Sequence, residues 1–242
     1  MKKTVTPYQD SSQSKKEQVT EMFDNISGGY DTLNHTLTMG IDFWWRKKAV
    51  QQLADTSPKL ILDIATGTAD FAISAIRLNP DQVIGLDISP KMLEVGRDKI
   101  AKKGLDKRIE LIEGDSENLP FADNHVDAVT VGFGVRNFEN LKLGLSEILR
   151  VMKPGAKAVI LEPAFPKSFP LKQLFTFYFR YITPLIGKII SGDDAAYTYL
   201  PESVRAFPEG EEFLTICKEV GFSEGVSKPM TLGSCAMYVL TK

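Results

Sequence analysis

Cysteine, histidine and tryptophan each occur only twice in this 242-residue chain, and neither sign of charge dominates, since 29 basic against 31 acidic residues leave a formal net charge of −2. The two cysteines, Cys217 and Cys235, have neither a metal-ligand spacing nor the numbers of a disulfide framework, which leaves buried thiols in a reducing compartment as the expectation. Without a basic excess there is no electrostatic footprint for nucleic acid. No uninterrupted apolar run reaches the roughly 18 residues that a membrane-spanning helix needs. The opening stretch is polar, with Lys2 and Lys3 near its start, and lacks an apolar signal core. A cytoplasmic protein is expected.

What is present is a rhythm. Hydrophobic residues make up 43% of the chain, enough for a sizeable core. From Lys59 onward, candidate strands at 60–64, 83–87, 109–113, 127–132 and 156–162 alternate with candidate helices at 69–78, 90–103 and 139–152. Ser89-Pro90 marks one helix start, with serine as N-cap and proline in the first turn. Such alternation predicts an α/β fold, a doubly wound and mostly parallel sheet covered by helices on both faces. Lys153-Pro154-Gly155 reads as a turn before the fifth strand. A helix from about Glu17 to Phe23 stops at Gly28-Gly29, and the cluster Phe43-Trp44-Trp45 leads into a basic amphipathic helix. A minimal nucleoside-binding sheet needs none of this, so 1–56 reads as an N-terminal helical cap. Residues 57–162 then form the core, 163–208 an inserted lid, and 209–242 a helix and strand-like stretch that complete a single domain.

The run Leu60-Ile61-Leu62-Asp63-Ile64 breaks into Ala65-Thr66-Gly67-Thr68-Ala69-Asp70, and a second apolar run ends at Asp87. A buried strand, a small-residue turn and a carboxylate at the end of the next strand form a nucleoside half-site, in which the carboxylate grips a ribose diol. The glycines of a dinucleotide fingerprint are missing apart from Gly67. Asp70 at the helix start is expected to repel a pyrophosphate. The pattern therefore favours S-adenosylmethionine over a nicotinamide dinucleotide. Asp63 is placed to orient the loop or to meet the methionine ammonium. Gly114-Asp115-Ser116 after the third strand is placed to hydrogen-bond adenine, with Leu119-Pro120-Phe121 as a wall.

Tyr30-Asp31-Thr32-Leu33-Asn34, Met39-Gly40-Ile41, Trp45, the loop 65–70, Phe133-Gly134-Val135-Arg136-Asn137, and Arg150 to Gly155 with Glu162 together resemble the menaquinone/ubiquinone biosynthesis C-methyltransferases. The resemblance runs from about residue 17 to the C-terminus and departs at Asp42, where the family commonly carries His, and at Ala69, where it commonly carries Gly. It implies a class I, Rossmann-like S-adenosylmethionine-dependent methyltransferase that methylates a ring carbon of a demethylated polyprenyl quinol, with 2-demethylmenaquinol the first candidate. Thr68, Asp87, Asp115 and Ser116 are the cofactor contacts carried over by position, beside Gly67 and Asp63. Alternatives are a polyprenyl benzoquinol as acceptor, methylation of oxygen or nitrogen in another small molecule, and a non-catalytic adenosylmethionine-binding protein.

Carbon methylation needs the ring held near the methyl, a phenolate pushing charge onto carbon, and later removal of a proton. Arg136 and Asn137 follow the fourth strand where the methyl should project. Arg136 is suited to stabilising a phenolate and, being a poor direct base, to positioning a water. A structural salt bridge is the other role open to it. Tyr30, Asp31 and Asn34 are placed to contact a quinol oxygen or to cap a helix. His35 is a candidate base, and His125 a solvated turn residue. Residues 163–192 carry seven aromatics, four basic residues and no acid. This composition predicts a lid over the active site with aromatics in the core, or a segment making peripheral contact with a bilayer.

Overall fold

In a computed structural model that describes residues 5–8, 11–178, 181 and 194–242, every expected strand is present. β1 (Leu60–Ile64), β2 (Gln82–Asp87), β3 (Ile109–Glu113), β4 (Val126–Gly132), β5 (Met152–Pro163), β6 (Glu224–Met230) and β7 (Cys235–Thr241) form one sheet in the order β3-β2-β1-β4-β5-β7-β6. Neighbours from β3 to β5 are parallel, and β7 runs antiparallel to both β5 and β6. β1 shows why the run of apolar residues is continuous. Ile61 packs on one face of the sheet while Leu62 and Ile64 pack on the other, and all three are fully buried. A strand covered on both sides has no solvent face to mark with polar residues.

α4 (Asp70–Ala75), α5 (Pro90–Lys102) and α3 (Ile41–Gln51) cover one face around Phe71, Leu93 and Leu53. α6 (Leu141–Val151) and α9 (Glu211–Val220) cover the other around Leu145, Ile148, Phe213 and Tyr238. Both cysteines are buried in these layers. The helix expected over 69–78 is shorter, because Ile76–Leu78 tightens into a 3-10 turn and Asn79 adopts a left-handed conformation that ends it. Lys153-Pro154-Gly155 lies within β5 rather than ahead of it. Val126 pairs with Met152 and Ala128 with Lys157, so Lys153 to Ala156 bulge out opposite Asp127, with Gly155 at a φ of 76°.

The opening segment forms α1 (Lys15–Ile26), α2 (Tyr30–Leu37) and α3, and its buried side chains Val19, Met22, Ile26 and Leu33 cluster with Met92 of α5. α1 begins two residues before the expected Glu17. The side chain of Ser14 accepts from the Glu17 amide while the Glu17 carboxylate reaches back to the Ser14 amide, a capping box written in the sequence as Ser-x-x-Glu.

α7 (Leu171–Phe177) and α8 (Asp194–Ala206) belong to the inserted segment. The described aromatics of 163–192 are not buried in the core as expected, since Phe169 is 81% exposed, Phe177 57% and Tyr181 56%, whereas Tyr199 and Phe207 further along are buried. Phe179, Arg180 and Lys188 lie outside the described residues. No helix among the described residues is long and apolar enough to cross a membrane.

Gly144 lies on the buried face of α6, where a Cβ would stand 2.4 Å from the Phe138 ring. Alanine normally gains about 1 kcal/mol over glycine in a helix interior, but forcing a methyl into a filled core costs about 1–3 kcal/mol. Gly144→Ala is therefore expected to lower the urea midpoint. An unchanged or raised midpoint would show that the Phe138 ring gives way.

Candidate active site at the carboxyl edge of the sheet

The loop after β1 alternates in handedness. Ala65, Gly67 and Ala69 adopt φ values of 52°, 54° and 68°. For the two alanines this conformation costs about 1–2 kcal/mol each, so other contacts must hold it. Asp63 does so from behind. One oxygen accepts the Thr66 hydroxyl at 2.6 Å and the Ala72 amide at 3.0 Å, and the other accepts the Thr130 hydroxyl at 2.7 Å. Asp87 does so from the side, accepting the Gly67 amide at 2.7 Å and the Ser89 amide at 2.9 Å. Asp63 is fully buried behind the loop, and these bonds fit the expectation that it orients the loop.

Beside this loop lies a cleft of about 690 Å³, lined from the sheet edge by Gly67, Asp87, Gly114, Asp115 and Ser116 and from the opening helices by Lys16, Val19, Phe23 and Tyr30. Its charge comes mainly from carboxylates. Lys16 is taken up by Asp115 at 2.6 Å and Glu117 at 3.5 Å, so no unpaired cation waits for a pyrophosphate. Acceptors at the strand ends suit a sugar diol, an adenine amine and a cationic methionine chain, and this set of acceptors fits S-adenosylmethionine. Leu119 is buried away from this cleft, and Leu86, Met92 and Phe138 supply the apolar wall instead.

Two expected contributors point elsewhere. The Thr68 hydroxyl donates to Asp31 at 2.5 Å, and Lys99 bridges Asp31 at 2.5 Å and Asp70 at 2.7 Å. Thr68 and Asp31 therefore tie the loop to α2. Asp70, matched by Lys99 and lying 3.4 Å from Arg46, has its charge offset and repels nothing in the cleft. The cleft's own carboxylates carry that selectivity. The Thr68–Asp31 bond joins residues 37 positions apart and leaves no local signal in the chain.

A second cleft of about 1290 Å³ opens on the other side of Phe23, Tyr30 and Phe133, which line both. Its walls are mostly apolar, with Met22, Ile26, Leu33, Leu37, Trp45, Phe175 and Tyr199 among them. Tyr178, also on its wall, donates its hydroxyl to the Leu37 carbonyl at 2.9 Å and so closes the inserted segment against α2. Arg136 reaches this cleft from a 3-10 turn after β4. Its guanidinium donates to Glu162 at 3.1 Å and to the Phe133 carbonyl, and its amide donates to Glu162 at 3.2 Å. The Arg136 Nε is buried with no hydrogen-bond partner. Burial pushes the Glu162 carboxyl above the usual range, against the pull of the Arg136 charge. Arg136 thus forms the expected salt bridge and also keeps a free donor.

Asn137 borders the first cleft, and its carboxamide oxygen accepts the Tyr199 hydroxyl at 3.1 Å. Burial raises the Tyr30 phenol, whose side chain is hydrogen-bonded to Asn34. His35 stacks on Phe43 with ring centroids 4.3 Å apart and places Nδ1 2.8 Å from Asp42, so it does not line the second cleft. His125 is exposed and stacked on Phe121.

Burial raises the Asp63 carboxyl to about 6, although its three hydrogen bonds pull the other way. A carboxyl that binds its proton more tightly when folded adds stability at low pH and loses it as pH climbs through the folded value. Measured against Asp63→Asn, the wild-type chain is expected to be relatively most stable near pH 4 and to lose that margin by about pH 6. A difference that stays level across this range would show the carboxyl ionising as it does in water.

Comparison with known proteins bears on the same residues. A family model described as the ubiE/COQ5 methyltransferase family matches residues 11–242. The demethylmenaquinone methyltransferase of Bacteroides fragilis is 49% identical over 239 residues, covering 98% of this chain and 97% of that protein. The protein of the same name from Porphyromonas gingivalis is 45% identical, with 97% and 96% covered. Among solved structures, a SAM-dependent methyltransferase from Aquifex aeolicus superposes with a TM-score of 0.55 at 17% identity, covering 76% of this chain and 81% of that one, a likeness of fold. With a family match spanning the strained loop, both clefts and the Arg136–Glu162 pair, the chain belongs to the ubiE/COQ5 methyltransferase family.

Proposed function

We propose that this methyltransferase transfers the methyl of S-adenosylmethionine to a ring carbon of a demethylated, polyprenylated quinol, 2-demethylmenaquinol, to give menaquinol. The observation that carries this reading is the pair of clefts sharing Phe23, Tyr30 and Phe133, one lined by carboxylates and the other large and mostly apolar with Arg136 on its wall. S-adenosylmethionine bound in the first cleft supplies an electrophilic methyl on a positively charged sulfur.

The chain's own residues do the rest by position and charge. Asp87, at the end of β2, accepts hydrogen bonds from the ribose hydroxyls, and Asp115 and Ser116 meet the adenine edge, while Gly67 keeps the loop free of side chain where the ligand lies closest. The apolar cleft takes the ring and the start of the prenyl tail. Holding acceptor and donor in line is worth about 7–11 kcal/mol over free encounter. The unpartnered Nε–H of Arg136 and its guanidinium charge stabilise the phenolate that activates the neighbouring carbon. A water held between Arg136 and Asn137 receives the ring proton after transfer, and Tyr30 orients the ring at the shared wall. The inserted segment covers this site through Phe175 and Tyr178.

Incubation with labelled S-adenosylmethionine tests the reading. Chemically reduced demethylmenaquinone is expected to take up label while the oxidised quinone does not. Labelling of phenols or amines in preference to the quinol would overturn it, and equal labelling of a reduced demethylated benzoquinone would widen the substrate class. Arg136→Ala, made together with Glu162→Gln so that no carboxylate is left unpaired, is expected to lower turnover by about 100-fold or more. Calorimetric affinity for S-adenosylmethionine should stay within about threefold. Equal loss of both would mean that Arg136 only braces the fold.

We also propose that the mouth of the apolar cleft rests on a bilayer where the prenyl tail resides. Met39, which borders that cleft, is 82% exposed, and Leu174 and Phe177 on α7 are 61% and 57% exposed. Exposed apolar side chains beside an apolar cavity suit an interface with lipid. The protein is expected to float with anionic vesicles, and the triple change Met39→Ser, Leu174→Ser, Phe177→Ser to stay behind. Flotation unaffected by the triple change, or absent in the wild type, refutes contact through this rim.

A further inference from the structure

The apolar cleft has a second charged corner, contributed by α2 and α3. Asp42 is 1% exposed and still borders the cleft. One oxygen accepts from Arg46 at 2.6 Å and stands 2.8 Å from the His35 ring, and the other accepts the Thr38 hydroxyl at 2.7 Å. Arg46, 7% exposed, borders the cleft as well. Burying an ion pair sacrifices hydration that its mutual attraction often fails to recover, and hydrophobic residues of similar size are frequently the more stable choice. A charged pair on the wall of a hydrocarbon-lined cavity therefore calls for a ligand group that uses it.

The chemistry of a 1,4-hydroquinone provides one. Its two oxygens lie on opposite edges of the ring, and this cleft is bordered by two arginines, each paired with a buried carboxylate. Arg136–Glu162 comes from the sheet, and Arg46–Asp42 comes from the opening helices. Tyr30, Arg46 and Arg136 all border this cleft, so a ring held beside Tyr30 shares it with both guanidinium groups. We infer that Asp42, supported by Arg46 and Thr38, forms a second oxygen-binding centre that receives the quinol hydroxyl remote from the reacting carbon and selects for rings bearing both hydroxyls. This rests on the quinol reading of the apolar cleft. An ionised carboxylate only accepts hydrogen bonds, so it welcomes an O–H and opposes the lone pairs of an ether. Burial pushes the Asp42 carboxyl up, but the Thr38 hydrogen bond and the Arg46 charge outweigh it and hold the group below its ordinary value. His35 and Arg46 are oriented by the same carboxylate, which makes Asp42 the centre of the corner.

The test compares two reduced acceptors with the same short prenyl chain, the 1,4-naphthalenediol and its mono-O-methyl ether at the oxygen remote from the reacting carbon. Both are assayed with the full-length protein and labelled S-adenosylmethionine. The wild type is expected to favour the diol in kcat/KM by about 100-fold or more, as sites built to bind a hydroxyl do. Asp42→Asn, whose carboxamide can donate to an ether oxygen, is expected to shrink that ratio by at least about tenfold, chiefly through KM of the diol. Thr38→Val, which leaves the Asp42–Arg46 ion pair in place, is expected to shrink it by about threefold. A wild-type ratio near one overturns the proposal whether or not the variants fold. So does an Asp42→Asn protein that binds S-adenosylmethionine normally and loses activity on both acceptors equally. A wild type that methylates neither acceptor removes the quinol reading itself, and this proposal with it.

Discussion

Two buried carboxylates hold the turn after β1 in a shape its own residues resist. Ala65 and Ala69 sit in the left-handed region without glycine's freedom, and the hydrogen bonds to Asp63 and Asp87 fix the amides and hydroxyls between them. Because β1 lies inside the sheet beside β4, where the connection order reverses, this turn forms the floor of the crevice in which open α/β sheets bind their ligands. The three left-handed residues bend the chain away from the space above it. Gly67, at the apex, has nothing nearer to an added Cβ than the Tyr30 ring at 4.0 Å. The first cleft exists because that strain is held.

The second cleft depends on the first through shared aromatics. Phe23, Tyr30 and Phe133 border both, and Phe133 itself adopts a φ of 60°, an uncommon conformation for an aromatic residue. Its carbonyl receives the Arg136 guanidinium, so the strained backbone, the partition between clefts and the aim of the arginine are parts of one local arrangement. The opening helices are drawn into the same unit by charge. Lys15 donates to the carbonyls of Arg136 and Phe138, and burial lowers its amine to about 8. Lys16 meets Asp115, Asp24 accepts the Ser89 hydroxyl, and Asp31 meets both Thr68 and Lys99. Together these ties lay α1 and α2 across the carboxyl edge of the sheet.

Much of the fold could be read from the chain because its signals are local. Continuous apolar runs marked the buried strands, and Ser89-Pro90 marked the start of α5. The capping box at Ser14 was equally local and would have moved the start of α1 to its observed place. The bulge at Lys153-Pro154-Gly155 resembled a turn because a turn and a bulge use the same residues, and only pairing with β4 and β7 separates them. Exposure in the inserted segment was misread for a related reason. Aromatic composition is the same whether a helix packs into a core or lies on its rim, and burial depends on what stands opposite.

Site residues divide along the same line. Asp87, Asp115, Ser116 and Gly67 were legible because each follows a strand of a parallel sheet, and parallel strands deliver their ends to one edge. That rule says which edge a residue reaches and nothing about the direction of its side chain. The sequence by itself therefore determined the sheet, the edge and the residues delivered to it. Tertiary structure alone decided that Asp63 and Thr68 turn away from the cleft, that Lys99 and Arg46 offset Asp70, and that Asp42 and Arg136 border the same apolar cavity. Charges select partners by distance in space, and those distances exist only once the chain has closed on itself.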